Sequence, residues 1–193
     1  VTKGETTMGT ARTPSADWID EGLRALARGG PDAVRVETLA KALGVTKGGF
    51  YGHFADRNAL LEAMLDTWER RSIDEVLDRI TRDGGDARTK IQRAGALTLS
   101  AELLPLDLAV RDWARRDENV ADRLRRVDNQ RMDLLREMIG TYFTDPVEVE
   151  ARSLLAFSTR IGMHFLVADR LDGLDHNAVL AHIADIVLGT AEA

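Results

Sequence analysis

Apolar residues recur at three- and four-residue intervals along nearly the whole chain, and no stretch alternates as a half-buried strand would. The first stripe, Ile19, Gly22, Leu23 and Leu26, predicts a helix from about Ser15 to Arg28. Ser15 or Thr13 caps it and Gly29-Gly30-Pro31 ends it. Val36, Leu39, Ala40 and Leu43 form the stripe of a short second helix, with Gly44 where a left-handed C-terminal cap would sit. Thr46 then supplies the N-cap of a third helix about two turns long, Lys47–Phe54. Two short helices around a glycine-containing turn are the signature of a helix-turn-helix.

Asp56 opens a long fourth helix carrying Leu60, Leu61, Met64, Leu65, Trp68, Ile73, Val76, Leu77 and Ile80, broken at Gly84-Gly85. At this length it can link two subdomains mechanically. A fifth helix covers about Ala87–Glu102, and Pro105 imposes a break or kink before a sixth over Leu106–Arg115. Asp117 caps a seventh reaching Tyr142, whose near-heptad row Val120, Leu124, Val127, Leu134 and Met138 is interrupted by Arg131. Thr144-Asp145-Pro146 is a stop and a new start, with Pro in the first helical turn. The eighth helix runs over about Val147–Leu171 and ends at Asp172-Gly173; the ninth runs over His176–Leu188 with Val179, Leu180, Ile183, Ile186 and Val187 on one stripe. The expected fold is all-α, about nine helices: an arm over residues 1–12, a three-helix unit over 13–56, and a helical body over 57–193.

Composition narrows the partners. No apolar run approaches the ~18 residues of a membrane span, and the first residues lack the apolar core of a signal peptide. The absence of cysteine excludes disulfides and thiolate metal sites and fits a cytoplasmic protein. The net charge of −6 argues at first against nucleic acid, but the charge is unevenly spread. Residues 1–57 hold eight Lys/Arg and seven Asp/Glu, whereas the remainder carries a net −7. From Arg35 to Phe54 the only acid is Glu37, against Arg35, Lys41 and Lys47. Phosphate attraction acts over roughly 8–10 Å, so this local balance matters more than the total. Lys3 and Arg12 could let the arm reach a minor groove, although a solvated tail is the simpler reading.

The third helix is the informative one. Gly48, Gly49 and Gly52 each cost about 1 kcal/mol relative to alanine, which a helix kept for packing alone would rarely carry. Bare positions let a backbone approach base edges and phosphates. Phe50 and Phe54 would anchor it, leaving Thr46, Lys47, Tyr51 and His53 outward as donors to phosphate. The stretch GVTKGGFYGHFADRNALLEAML resembles the signature of the tetracycline-repressor (TetR) family through Gly44, Val45, Thr46, Gly48, Phe50, Tyr51, His53, Phe54, Arg57 and Leu60. The resemblance is detailed from Asp17 to about Trp68, and beyond that extends only to helical layout and length. It implies a homodimer that binds a palindromic operator on double-stranded DNA through its third helix, with a ligand cavity in the C-terminal body. Carried over by position, Thr46, Tyr51, His53 and Arg57 are expected at phosphates, and Lys47, Gly48 and Gly49 at bases or phosphates. Arg35 departs from the pattern, since many members place there a Ser or Thr that caps the second helix and bonds a phosphate; either its guanidinium replaces that DNA contact or this end is held differently. With Gly49 also lacking a polar side chain, more of the readout falls on DNA shape.

Other classes find little support. His176 and His182 lie six apart, off one helical face, and no P-loop, dinucleotide fingerprint or nucleophile elbow occurs, so neither an enzyme, a metal site nor a cofactor is expected. For a small-molecule effector, possible lining residues on helices six to eight are Trp113, Met132, Phe157, Met163 and His164, although core packing explains each individually. The stripes of the last two helices suit pairing with a symmetry mate, unless both are consumed within one chain. The combined expectation is a ligand-responsive regulator, most simply a repressor. The alternative is a helical ligand- or partner-binding protein that no longer binds DNA.

Overall fold

Capping aspartates open three of the helices found in the computed structural model, which describes residues 13–98, 100–166 and 175–189. The helices are α1 Ser15–Gly29, α2 Val36–Leu43, α3 Lys47–Phe50, α4 Arg57–Ser72, α5 Asp74–Asp83, α6 Ala87–Thr98, α7 Leu103–Ala114, α8 Glu118–Ile139, α9 Pro146–Gly162 and α10 His176–Leu188. Among the described residues there is no strand. The arm 1–12, the predicted helix beyond residue 166 and the Asp172-Gly173 stop lie outside them.

Asp56, Asp117 and Asp145 each accept from backbone N–H groups in the first turn that follows, Ala59 at 2.8 Å, Asn119 at 3.1 Å and Val147 at 3.0 Å. Such a cap contributes roughly 1 kcal/mol by satisfying a donor that has no intrahelical partner. Gly44 takes the left-handed conformation (φ 69°, ψ 28°) and closes α2 onto the carbonyls of Ala40 and Lys41. At α1, however, Pro14 is the N-cap residue and no side chain caps, so neither Ser15 nor Thr13 has the expected role.

The largest correction falls on the long fourth helix. It stops at Ser72, and α5 starts at Asp74 after a single non-helical residue, Ile73 (φ −121°, ψ −67°). No glycine or proline marks the break. Arg70-Arg71 before it and Asp74-Glu75 after it place cations on a helix C-terminus and anions on an N-terminus, the charges those dipole ends favour. The fifth predicted helix also ends early, at Thr98. Pro105 neither breaks nor kinks: it occupies the first turn of α7, where its missing N–H has no helical partner to lose.

One core runs from Trp18, Leu26 and Phe50 through Leu60, Met64 and Trp68 to Val110, Trp113, Val120 and Val127. It therefore joins α1–α4 to α7 and α8 rather than closing at residue 56. A smaller core of Ile139, Val187 and Leu188, flanked by Phe143 and Val149, gathers the ends of α8 and α10 onto α9. Arg71 to Asp20 (2.6 Å) ties α4 to α1, and Arg123 ties α8 to Glu62, Asp66 and Glu69 on α4 at 2.7–2.8 Å. Against its own desolvation, hydrogen bonds to these carboxylates, of which Glu62 and Asp66 are exposed and Glu69 half-buried, raise the Arg123 pKa.

Candidate nucleic-acid interface and ligand cavity

Phe50 decides how α3 sits. It is fully buried, edge-on to Trp18 at 5.4 Å and stacked on Phe54 at 5.4 Å, so both aromatic anchors point inward as expected. Burying such a ring contributes about 1.5–3 kcal/mol, which offsets much of the glycine cost. The helix itself is shorter than expected. After Phe50 the chain continues as turns through His53, with Phe54 N–H still bonded to the Phe50 carbonyl at 3.1 Å.

Around that anchor, Thr46, Lys47, Gly48 and Tyr51 are exposed. Thr46 occupies the N-cap position with extended backbone, but its hydroxyl makes no capping bond; the carbonyl of Thr46 instead accepts from Gly49 N–H at 3.0 Å. Lys47 is paired with Glu37 on α2, and both side chains are solvent-exposed. Tyr51 is 55% exposed and leans edge-on against Phe50, which fixes its ring without using its hydroxyl. Gly48 has open space where a side chain would stand, the nearest atom to an added Cβ being Thr46 Oγ1 at 3.8 Å. Gly49 faces the other way: an added Cβ would meet Trp18 Cζ2 at 3.9 Å, so this glycine lies on the packing side.

Of three further residues, His53 is placed differently from expectation, whereas Arg57 and Arg35 bond backbone carbonyls. His53 is half-buried, with Nε2 sealed from solvent and without a partner among the described residues, so its ring does not point outward beside Tyr51. Arg57 donates from Nε to the Val34 carbonyl at 2.7 Å and from Nη2 to the Pro31 carbonyl. Its guanidinium holds the segment leading into α2 and thereby links the start of α4 to the start of the helix-turn-helix. Arg35 has the extended backbone of an N-cap residue without capping, and its Nε donates to the Asp32 carbonyl at 3.1 Å.

A second feature lies in the helical body. A cavity of about 360 Å³ is enclosed by the end of α4, the Ile73 junction, α5, α6, α8, α9 and α10. That is near the lower end for small-molecule sites. Phe157 and Met163 are among its lining residues. Trp113 is instead buried in the main core, Met132 is buried on α8 without reaching the cavity, and His164 is exposed past the end of α9. Sequence reasoning missed Arg131, Arg160, Gln92 and Ser72, which bring polar groups to this wall. The signals were present: Arg131 interrupts the apolar row of α8, and Arg160 stands three residues after Phe157 on the same face.

Among the described residues no group of three His, Cys, Asp or Glu could hold a metal ion, and no helix is long and apolar enough to cross a membrane.

The structure thus presents a helix-turn-helix with an exposed polar face, carried on a helical body with an apolar cavity. Residues 19–64 match the sequence profile of bacterial regulatory proteins of the tetR family. No curated protein matches the chain. Among solved structures it is similar to a transcriptional regulator from Rhodococcus sp. (TM-score 0.66, 21% identity, covering 92% of this chain and 95% of that one). It is also similar to the fatty acid degradation regulator FadR from Bacillus subtilis, solved with stearoyl-CoA (TM-score 0.64, 15% identity, 93% and 100% covered). A third is AibR, solved with isovaleryl coenzyme A and operator DNA (TM-score 0.60, 15% identity, 91% and 96% covered). At these identities the likeness concerns the fold.

Proposed function

We propose that this protein is a ligand-responsive transcriptional repressor that binds a palindromic operator as a homodimer and leaves it when a small molecule enters the helical body. The observation that carries the reading is the outer face of the helix-turn-helix. Thr46 and Tyr51 stand exposed there with hydroxyls that the fold does not use, beside the bare backbone of Gly48 and over an aromatic anchor. Lys47 joins them once it exchanges Glu37 for a phosphate. Arg57 acts on this face by bracing the α2 entrance, and Arg35 remains an exposed cation at its edge.

The response to a ligand has a mechanical route. Ser72 and Ile73 border the cavity at one end of α4, and Arg57 grips the α2 entrance at the other. A ligand that shifts the α4–α5 junction therefore moves the seat of the helix-turn-helix. A coupling of about 1–3 kcal/mol would change operator affinity about 5- to 150-fold. Two fold neighbours were solved with coenzyme A thioesters, one of them also with operator DNA, which supports a small-molecule effector for this chain. The TetR-type segment supports a role without turnover.

The test is a mobility-shift titration of the full chain against its gene's upstream DNA over a salt series. Wild type should bind with a clear salt slope, and Lys47→Ala and Tyr51→Ala should each weaken binding while keeping the wild-type melting temperature. Unchanged affinity in both variants would remove the assignment.

A further inference from the structure

The cavity wall holds more positive charge than the fold neutralises. On α7 and α8, Asp107 and Asp128 are matched by two arginines: Arg111 donates Nε to Asp107 at 2.9 Å and both Nη groups to Asp128 at 2.8 and 2.7 Å, and Arg131 donates Nη1 to Asp107 at 2.9 Å. This cluster balances. Arg131, only 7% exposed, nevertheless keeps Nε and Nη2 buried without a partner, and it lines the cavity. Ser72 Oγ, on the α4 side of the same wall, is also buried and unpartnered.

Arg160 of α9 adds a charge with no counterpart: among the described residues no hydrogen bond or ion pair holds it, and burial alone pushes its pKa down. Space is made for it. An added Cβ on Gly95 of α6 would lie 2.7 Å from Arg160 Nη2 and 2.9 Å from Cζ, so only glycine lets the guanidinium rest there. The acids on the lining, Asp133 and Glu137, are exposed, and Asp133 is engaged by Arg136 at 2.8 Å. By contrast, Arg70 and Arg71 in a second cavity beside α1 are paired with Glu75 and Asp20.

An unpaired cation and buried unused donors in an apolar chamber are costly unless a ligand completes them. We infer that the effector is an amphipathic anion whose carboxylate or phosphate is held by Arg160 with the free donors of Arg131, while its apolar body lies along Phe157, Ile183 and Leu188. This rests on the ligand-responsive reading above and adds the chemical class.

Calorimetry on the full chain with decanoate, decanoyl-CoA, 1-decanol and decyltrimethylammonium tests it. Decanoate, decanoyl-CoA or both should bind, the first alone indicating a carboxylate and the second alone a phosphate-bearing ligand, and the alcohol and the cation at least about tenfold more weakly. Arg160→Gln should lower anion affinity about tenfold or more while its own melting temperature stays equal or rises, because a desolvated unpaired charge is gone. Gly95→Ala should weaken the anion with no change of charge. Equal binding of alcohol and anion, anion affinity indifferent to Arg160→Gln, or no anion binding would overturn the inference. A DNA titration on the same samples separates the two readings. Anion binding without DNA release removes the coupling and leaves the anion site; release by alcohol and anion alike keeps the coupling and removes the site.

Discussion

Glu37 is the residue on which the reading face turns, because it occupies the side chain best suited to meet DNA. Its carboxyl is held below the ordinary 4.5 first by the Lys47 hydrogen bond and then by that ammonium's charge, and Lys47 is raised above 10.5 by the same bond. The depressed carboxylate favours the pair above its ordinary value and loses that contribution as pH falls through the lowered one. The raised ammonium favours it below its ordinary value and loses it as pH rises through the higher one. Between about pH 6 and about pH 9 the pair therefore keeps its charges, and wild type and Lys47→Ala should give parallel affinity–pH profiles. Glu37 also competes with phosphate for Lys47. Glu37→Gln should bind DNA several-fold more tightly and steepen the plot of log affinity against log salt by about one, read by fluorescence anisotropy. Equal or weaker binding would mean that Glu37 positions Lys47 rather than competing for it. Sequence spacing made the exposed row legible but not these engagements. Glu37 lies ten positions from Lys47, and the carbonyls that hold Arg57 belong to residues 23 and 26 positions earlier, so these contacts exist only once α3 has packed on α2 and the start of α4 on the segment before α2.

At the scale of elements, the crossing of α1 over α4 is set by one bare position. An added Cβ on Gly22 would stand 2.6 Å from Met64 Sδ and 3.4 Å from its Cε, in a core where both residues are buried. Gly22→Ala should therefore destabilise the chain by about 1–3 kcal/mol in urea unfolding, despite alanine's better helix propensity. Combining it with Met64→Ala should cost less than the sum of the single changes, since the smaller side chain vacates that space. Additive losses would show that the two do not meet. Helix existence, the Asp caps and the Gly44 turn were legible because each depends on a few neighbouring residues. The division at Ile73 was hidden because the apolar stripe runs across it from Trp68 to Val76, and only the flanking charge reversal marks it. The cavity was hidden for a related reason: a stripe says which face is inside, not whether neighbouring faces fill the space between them.

For the whole molecule, the last two helices remain unfinished within one chain. In α9 the sole fully buried residue is Ser153, whose hydroxyl bonds the Val149 carbonyl at 2.7 Å, while Leu155 is 57% exposed and Leu154 and Val147 are also open. On α10, Val187 and Leu188 are buried but Ile186 is 64% exposed. Apolar faces on adjacent helices of one edge suit a second copy, which would add its own pair to make a four-helix interface. The proposed operator binding calls for that copy on electrostatic grounds as well. One helix-turn-helix brings few cations on a chain whose net charge is −6, whereas two heads about 34–36 Å apart reach successive major grooves and bind as a linked pair. Leu155→Glu combined with Ile186→Glu should then sediment as a monomer with wild-type helicity, because neither side chain belongs to a core or to the cavity wall. Its operator affinity should fall about 100-fold or more, while weak binding to unrelated DNA persists through the intact single head. A monomeric wild type, or a monomeric double variant with undiminished operator affinity, would show that one copy suffices.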